Sequence, residues 1–318
     1  MEVEAALPPP KVRLNTNLRK YAFRALKLSS NHLIRQAIGF GYPDTLSSPG
    51  YKGLESTIKE QKQTQIERIQ ASISLLIDTD SLEPIQHFYF APWERGTPYK
   101  VEISSLPKEE AAIIHQAQLC LDPGNIAIYT DGSLTPSEET KGVGVGVAIL
   151  GTLTPSNPTL KENLGPRQLV YNAELEGITI AIETASQLAK PGYNFEVFSD
   201  NQAALYRLKN PSDFPGQACQ IRAIKAARQV TSKGATIQLN WVPGHKDIPG
   251  NELADSLAKE ATFEDPSSEG VSFAYLGTLL RKAQTREWLG LLEAYSLRQD
   301  QSLTSYRRLY PWKISSKI

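Results

Sequence analysis

The spacing of hydrophobic and polar residues divides this chain into three parts. Over residues 11–39, apolar residues recur at three- and four-residue steps, which predicts one amphipathic helix with a basic opposite face. Residues 66–76 carry a similar stripe of Ile and Leu and predict a second helix, after a break rich in Gly, Pro and Ser. We therefore expect a helical segment over residues 1–120.

Short apolar runs alternate with helical patterns between residues 125 and 262. The runs at 126–130 and 142–150 are rich in β-forming residues and flank a polar loop, which predicts a β-hairpin. Two later runs, at 194–200 and 236–244, also predict strands, and four segments predict helices: 173–189, 201–210, 216–234 and 251–262.

A hairpin followed by alternating strands and helices predicts an α/β domain, with a mixed sheet and helices packed on its faces. We place this domain at residues 121–264. Asn251 is the predicted N-cap of the last helix. Residues 275–300 predict one more helix, within a C-terminal helical tail at 265–318.

Composition and charge narrow the class of protein. The 318 residues hold 34 basic and 34 acidic side chains, so the balance gives no global attraction to polyanions, although residues 201–240 are locally basic. The two cysteines, Cys120 and Cys219, form neither a disulfide framework nor a zinc-ligand spacing. With no secretion signal or apolar span, we expect an intracellular protein, cytoplasmic or nuclear.

Four carboxylates stand at or near the ends of predicted elements. Asp131 and Asp200 follow strands, Glu174 begins a helix, and Asp255 lies in the first turns of the last helix. Each acid alone has a simpler explanation, because Asp closes strands through turns and acids favour helix N-termini.

Together the four acids predict a metal site. If the strands that end in Asp131 and Asp200 are neighbours, both side chains emerge at the edge where open α/β sheets place their sites. Carboxylates gathered there repel one another unless divalent cations neutralise them, and oxygen ligands favour Mg²⁺ or Mn²⁺ over zinc. A pair of such ions suits phosphodiester hydrolysis.

Four motifs occur in an order that resembles ribonuclease H. They are "YTDGS", "YNAELEGI", "FSDNQAAL" and "WVPGHKDIPGNELADSLAKEA", and the likeness covers about residues 124–263. The chain most resembles the RNase H domain of the reverse transcriptase polyprotein of a non-LTR retrotransposon. This resemblance implies an RNase H-like fold: a five-stranded mixed sheet, with its first three strands antiparallel, flanked by helices.

The resemblance also implies catalytic roles. Asp131 would bridge two Mg²⁺ ions, for which Mn²⁺ is an alternative. Glu174 and Asp200 would hold the ion on the leaving-group side, and Asp255 would complete the site of the nucleophile-side ion. His245, on its Pro-Gly turn, would shuttle a proton or help release the cleaved phosphate. The two acids Asp247 and Glu252 are weaker alternates beside the site.

The implied substrate is an RNA/DNA hybrid, of which the RNA strand is cut to leave 5′-phosphate and 3′-hydroxyl ends. An enzyme confined to RNA must contact the 2′-hydroxyl, and Gln202 matches a family position that does so. Ser133 lies where it could meet the scissile strand. Val170 and Tyr171 replace a pair of amide side chains found in many family members. The resemblance therefore implies metal-dependent cleavage more strongly than a strict preference for hybrids.

The flanks of this domain resemble the segment that joins a reverse transcriptase to its RNase H. A reverse transcriptase module encoded upstream is therefore an expected partner, and no membrane is expected. The alternative is a catalytically inactive RNase H-like module that binds nucleic acid or protein. A structural α/β protein with surface acids ranks below both.

Overall fold

The structure is a computed structural model, which describes residues 10–28, 32–38, 68, 71, 73, 81–85, 96–119, 124–151 and 158–298. Within these ranges no helix combines the length and the apolar character needed to cross a membrane. The predicted helix over 66–76 lies outside the described residues, apart from the three single positions.

A six-stranded mixed sheet forms the centre of the fold. Its spatial order is β1-β6-β5-β2-β3-β4. Strands β2, β3 and β4 are antiparallel, whereas β2–β5, β5–β6 and β6–β1 are parallel pairs. The strands are β1 Lys100–Glu102, β2 Asn125–Ser133, β3 Gly144–Leu150, β4 Thr159–Asn163, β5 Asn194–Ser199 and β6 Thr236–Trp241.

The described residues include eight helices. They are α1 Pro10–Leu26, α2 Leu33–Ile38, α3 Lys108–Gln118, α4 Val170–Leu188, α5 Gln202–Lys209, α6 Gln217–Ser232, α7 Pro249–Ala261 and α8 Phe273–Arg298.

Side-chain alternation in the strands separates two cores. In β2, Ile126 and Ile128 join the larger apolar cluster, which includes residues of α4 and α6. Ala127 and Tyr129 join a second cluster with residues of α3 and α7. Because successive side chains of a strand point to opposite faces, Asp131 shares the face of Ala127 and Tyr129.

The α/β class and the antiparallel β2–β3–β4 arrangement are as predicted, but the strand count of five is wrong. The sixth strand is β1, whose Lys100 pairs with Gln238 of β6. Three residues with the pattern Lys-Val-Glu are too short to show a period in the sequence. The sheet therefore takes a strand from residues before position 121.

The single helix predicted over residues 11–39 is also wrong, because α1 ends at Leu26 and α2 begins at Leu33. Arg35 Nη1 donates hydrogen bonds to the carbonyl oxygens of Leu26 (3.1 Å) and Leu28 (2.9 Å), which would otherwise lack partners at the helix end. The Ser-Ser-Asn sequence that follows Leu28 favours turns over helix.

A third apolar cluster joins the flanking segments. It combines residues of α1, α2 and α8 with the segment 81–85, where Leu82 bridges to Val271. The predicted helix over 275–300 corresponds to α8, in which Leu280 is buried while Trp288 and Leu291 are half-buried.

Glu83 connects this flanking cluster to the sheet domain. Its Oε2 accepts a hydrogen bond from the amide of Gly216 (2.7 Å), at the start of α6, and its Oε1 accepts one from the amide of Phe273 (2.8 Å), at the start of α8. Burial raises the pKa of this carboxyl, while the two amides and nearby Arg207 and Lys27 oppose the shift. The Glu83 carboxylate therefore accepts hydrogen bonds from backbone amides at the starts of two helices.

We expect Glu83→Ala to lower the free energy of unfolding by about 2 kcal/mol, because two buried amides lose their acceptor. Glu83→Gln keeps one acceptor oxygen and should lose roughly half as much. Urea denaturation of the full chain measures both, with exposed Glu269→Ala as the control, expected within about 0.5 kcal/mol of the parent. Equal stability of Glu83→Ala and the control would contradict the bridging role.

Candidate active site

Three of the predicted acids meet at one end of the sheet. Asp131, Glu174 and Asp200 each offer an oxygen atom, and these three atoms lie within 4.8 Å of one another. Asp131 retains 9% of its exposure and Glu174 only 5%. The cluster is therefore largely shielded from water. Its three acids come from three separate parts of the chain.

Strand register brings the two aspartates together. Strands β2 and β5 are parallel neighbours in which Thr130 pairs with Ser199, so Asp131 and Asp200 are the next residues on each. Phe198, two residues before Asp200, packs in the same cluster as Tyr129, two residues before Asp131. The two-residue period thus directs both carboxylates to the same face.

Gly132 allows Glu174 to reach the cluster. A Cβ at this position would lie 2.7 Å from the backbone nitrogen of Glu174, so only glycine permits α4 to pass this close to β2. Glu174 belongs to the first turns of α4, on the opposite side of the sheet from α7. Asp131 therefore supplies one acid of the cluster, and Gly132 leaves the space that Glu174 needs.

Asp255 approaches from α7, which packs closely on β3. Gly146, the partner of Asp131 in the β2–β3 pairing, would place a Cβ 2.1 Å from the carbonyl oxygen of Ala254. This close contact brings Asp255 near Asp131, whose pKa it helps to raise. Asp255 is half-buried and accepts a hydrogen bond from Lys259 Nζ at 2.6 Å.

The carboxylates disturb one another's ionisation. Burial, followed by repulsion from Asp200 and Asp255, raises the pKa of Asp131 to about 7. Burial, with repulsion from Asp131 and Asp200, raises the pKa of Glu174 to about 9. The pKa of Asp200 is also raised, mainly by burial, while His245 and Lys108 oppose that shift. At neutral pH the cluster favours bound protons or cations.

The turn between β6 and α7 places His245 beside Asp200. His245 and Asp247 both have left-handed backbone conformations, with φ of 56° and 53°, which non-glycine residues seldom adopt. Gly244 is required here, because a Cβ would lie 2.1 Å from Asp200 Oδ2. His245 is exposed, and it forms a second group with Glu252 and Asp255, each contributing one atom within 4.8 Å of the others.

The prediction of Asn251 as the N-cap of α7 is wrong. The helix begins at Pro249, so Ile248 is the N-cap, and Asn251 is buried inside the first turn with its Oδ1 unpartnered among the described residues. Proline fits the first position of a helix because its missing N–H would have no partner there. The sequence carried this signal in Pro249.

Asn201 is a contributor that the sequence analysis missed. It is the N-cap of α5, where its Oδ1 accepts a hydrogen bond from the amide of Ala204 at 3.0 Å. Its side chain also hydrogen-bonds Glu174, which moderates the rise in that pKa. An Asn directly before a helix is a recognisable cap, but its bond to Glu174 depends on the fold.

The two predicted substrate residues lie near the cluster but not within it. Ser133 ends β2 and is half-buried, whereas Gln202 is the exposed first residue of α5, two positions after Asp200. Their role in substrate binding stays a prediction.

Two arginines of the basic stretch between 201 and 240 are engaged with the protein itself. Arg207 donates hydrogen bonds to the carbonyl oxygens of Pro215, Ser212 and Phe214, which fixes the loop before α6. Arg222 forms ion pairs with Glu176 (2.5 Å) and Glu183 (2.7 Å). Arg207 is half-buried, and Arg222, although exposed, is paired with two carboxylates, so both guanidinium groups already have partners within the protein.

The segment that carries the four acids has relatives among known proteins. Residues 123–263 match the family model of RNase H. The chain is also 29% identical over 152 residues to the ribonuclease H of Polaromonas naphthalenivorans (strain CJ2), covering 43% of this chain and 87% of that protein. The ribonuclease H of Polaromonas sp. (strain JS666 / ATCC BAA-500) is 28% identical over 150 residues, covering 42% of this chain and 86% of that protein.

Solved structures of RNase H proteins align with the same share of the chain. RNase H1 from the halophilic archaeon Halobacterium salinarum NRC-1 is 22% identical with a TM-score of 0.34, covering 43% of this chain and 97% of that one. The N-terminal RNase H domain of rv2228c from Mycobacterium tuberculosis, solved as a fusion with maltose binding protein, is 20% identical with a TM-score of 0.35. That alignment covers 43% of this chain and 98% of the solved chain. We refer below to residues 123–263 of this chain as the matched domain.

The acidic cluster of this domain could hold a metal ion. Glu174 Oε2 is buried without a hydrogen-bond partner among the described residues, which is a costly state for a carboxylate oxygen. The donors of the cluster are all oxygen atoms, which suit hard divalent cations. A cation would both satisfy this oxygen and relieve the repulsion among the three acids.

Proposed function

We propose that the chain is a divalent-metal-dependent endoribonuclease that hydrolyses the RNA strand of RNA/DNA hybrids. The observation that carries this proposal is the meeting of Asp131, Glu174 and Asp200 around a buried, unpartnered carboxylate oxygen. The match of residues 123–263 to the RNase H model supports the choice of reaction. The names of the Polaromonas relatives support it as well.

The four acids would together bind two Mg²⁺ ions, which Mn²⁺ could replace. Asp131, at the centre of the cluster, would contact both ions. Glu174 and Asp200 would hold the ion on the leaving-group side, and Asp255 would complete the other site. When bound, such a pair activates water and stabilises the leaving oxygen of a phosphodiester.

Residues around the acids would handle protons and substrate. His245 is exposed beside Asp200 and could accept or donate a proton at an imidazole nitrogen, or help the cleaved phosphate leave. Gln202, on the exposed start of α5, would contact a 2′-hydroxyl of the RNA strand. Ser133, at the end of β2, would meet the scissile strand. Asn201 would orient Glu174 through the hydrogen bond between their side chains.

We further propose that the domain derives from a retrotransposon polyprotein and cooperates with a reverse transcriptase module encoded upstream. The support is the resemblance of the flanking sequences to a reverse transcriptase connector. In this proposal, residues 1–120 are the connector, residues 121–264 the nuclease domain and residues 265–318 a helical tail. Because β1 and α3 pack on the sheet, part of the connector would be integral to the nuclease domain.

Incubation of the full chain with a labelled RNA/DNA hybrid tests the proposed reaction. We expect cleavage of the RNA strand in Mg²⁺, none in EDTA, and products with 5′-phosphate and 3′-hydroxyl ends. Duplex RNA and duplex DNA of the same sequence should stay intact. A chain that binds the hybrid but leaves it uncut in both Mg²⁺ and Mn²⁺ would favour an inactive binding module instead.

A further inference from the structure

Helix α3 contacts the His245 turn, although it lies outside the segment that matches the RNase H model. Lys246 Nζ forms an ion pair with Glu109 Oε1 at 2.6 Å, and Gln116 Nε2 donates to the carbonyl oxygen of Asp247 at 3.4 Å. Lys246 keeps 32% of its side-chain exposure in this pair. The two contacts hold Lys246 and Asp247, the two residues that follow His245.

Both ends of the same turn share an apolar cluster with α3. Val242 precedes the turn and Ile248 follows it, and both are buried in one cluster with Ala112 of α3. The middle of the segment 242–248 therefore has polar contacts with α3, and both of its ends lie in an apolar cluster that includes Ala112.

Helix α3 also contacts β2, the strand that carries Asp131, through His115. His115 Nε2 lies 2.9 Å from the hydroxyl of Tyr129, two residues before Asp131, and the His115 ring packs edge-on against Phe198. A Cβ at Gly250 would lie 2.3 Å from the Tyr129 ring, so this tyrosine also abuts the start of α7. Helix α3 therefore contacts the strand that carries Asp131 and the turn that carries His245, and Tyr129 links it to the start of α7.

The backbone conformation of the turn depends on contacts of this kind. Two left-handed non-glycine residues, His245 and Asp247, raise the energy of the segment and persist only when surrounding contacts impose them.

We propose that α3 is a positioning element of the active site, which holds the His245 turn beside Asp200 through the Glu109–Lys246 ion pair and the packing of Ala112. Glu109 is then a positioning residue that acts through Lys246. The proposal rests on the proposed function for its catalytic consequence, but the restraint on the turn can be measured without any cleavage assay.

Hydrogen–deuterium exchange of peptides covering residues 243–250 in the full chain measures the restraint. We expect Glu109→Lys and Lys246→Glu each to speed exchange in this segment roughly two- to fivefold, which is the range of an exposed ion pair. The double variant, with the charges exchanged, should return to the parental rate. Glu110→Lys, an exposed glutamate one residue further along α3, is the matched control and should exchange like the parent.

Steady-state cleavage of the hybrid gives the catalytic readout. Glu109→Lys and Glu110→Lys add the same positive charge at neighbouring positions, so any general effect on hybrid affinity appears in the KM of both. Only Glu109→Lys should lower kcat, roughly two- to fivefold, with recovery in the charge-exchanged double variant.

Two results would overturn the proposal: exchange in Glu109→Lys equal to that in Glu110→Lys, or a double variant that exchanges as fast as the single ones. If the parent chain fails to cut the hybrid, the proposed function fails instead. The exchange comparison still decides the role of α3 in that case.

Discussion

Replacing Asp131 with Asn should reduce Mg²⁺-dependent cleavage of an RNA/DNA hybrid roughly 10³-fold. The substitution keeps the size of the side chain and the oxygen that accepts a hydrogen bond from the Gly132 amide at 2.8 Å, but removes the charge at the centre of the cluster. A bound metal ion supplies several kcal/mol of charge stabilisation, and each 1.36 kcal/mol is tenfold in rate. Single-turnover cleavage at saturating enzyme measures the loss without interference from product release.

Asp200→Asn should give a comparable loss, because this acid shares the same cluster. The control is Asp265→Asn, which makes the same chemical change at an exposed aspartate paired with Lys141, and should keep the parental rate. The proposed role of the cluster fails if Asp131→Asn cuts the hybrid within tenfold of this control.

Much of the sheet could be predicted because buried strands appear in the sequence as short runs of apolar residues. The apolar runs of β2, β3, β5 and β6 are buried in the structure, and the pattern places each of them. The residues of β4, by contrast, could not be located from the pattern, since this edge strand is mostly exposed and reads Thr-Leu-Lys-Glu-Asn. Only its last residue is buried, so the strand lacks the alternating apolar signal that a buried face leaves in a sequence.

The acids of the site could be predicted, but the contacts that organise them could not. The motifs pointed to Asp131, Glu174 and Asp200 because each was expected to follow or begin a regular element. In the structure Asp131 lies within β2 and Glu174 is the fifth residue of α4. The bond from Asn201 to Glu174 and the ion pair from Glu109 to Lys246 join residues far apart in the chain. Such pairs depend on how helices cross the sheet, for which local sequence patterns carry no information.

The same cluster should make the stability of the metal-free chain fall as pH rises. The pKa of Asp131 is raised to about 7 and that of Glu174 to about 9, so the folded chain binds more protons than the unfolded chain between pH 4 and these values. Stability then decreases with pH, because the unfolded state releases those protons more readily. The stabilising effect of the protonated cluster is complete below pH 4 and is lost as pH rises through about 7 and 9.

We expect the free energy of unfolding in EDTA to fall by several kcal/mol between pH 5 and pH 9, since one pKa unit corresponds to about 1.4 kcal/mol and both acids lose their protons within this range. Urea denaturation at pH 5, 7 and 9 measures this slope. Asp131→Asn removes one titrating group and part of the repulsion that raises the pKa of Glu174, so the slope should fall by about half.

Addition of Mg²⁺ at pH 8 should restore stability to the parent and much less to Asp131→Asn, because the cation replaces the protons that the cluster has lost. Asp265→Asn again serves as the control, and its slope should equal that of the parent over this pH range. If the parent and Asp131→Asn lose stability equally between pH 5 and pH 9, the repulsion among these acids is not the source of the loss. The case for a cation at their centre would then lack its electrostatic basis.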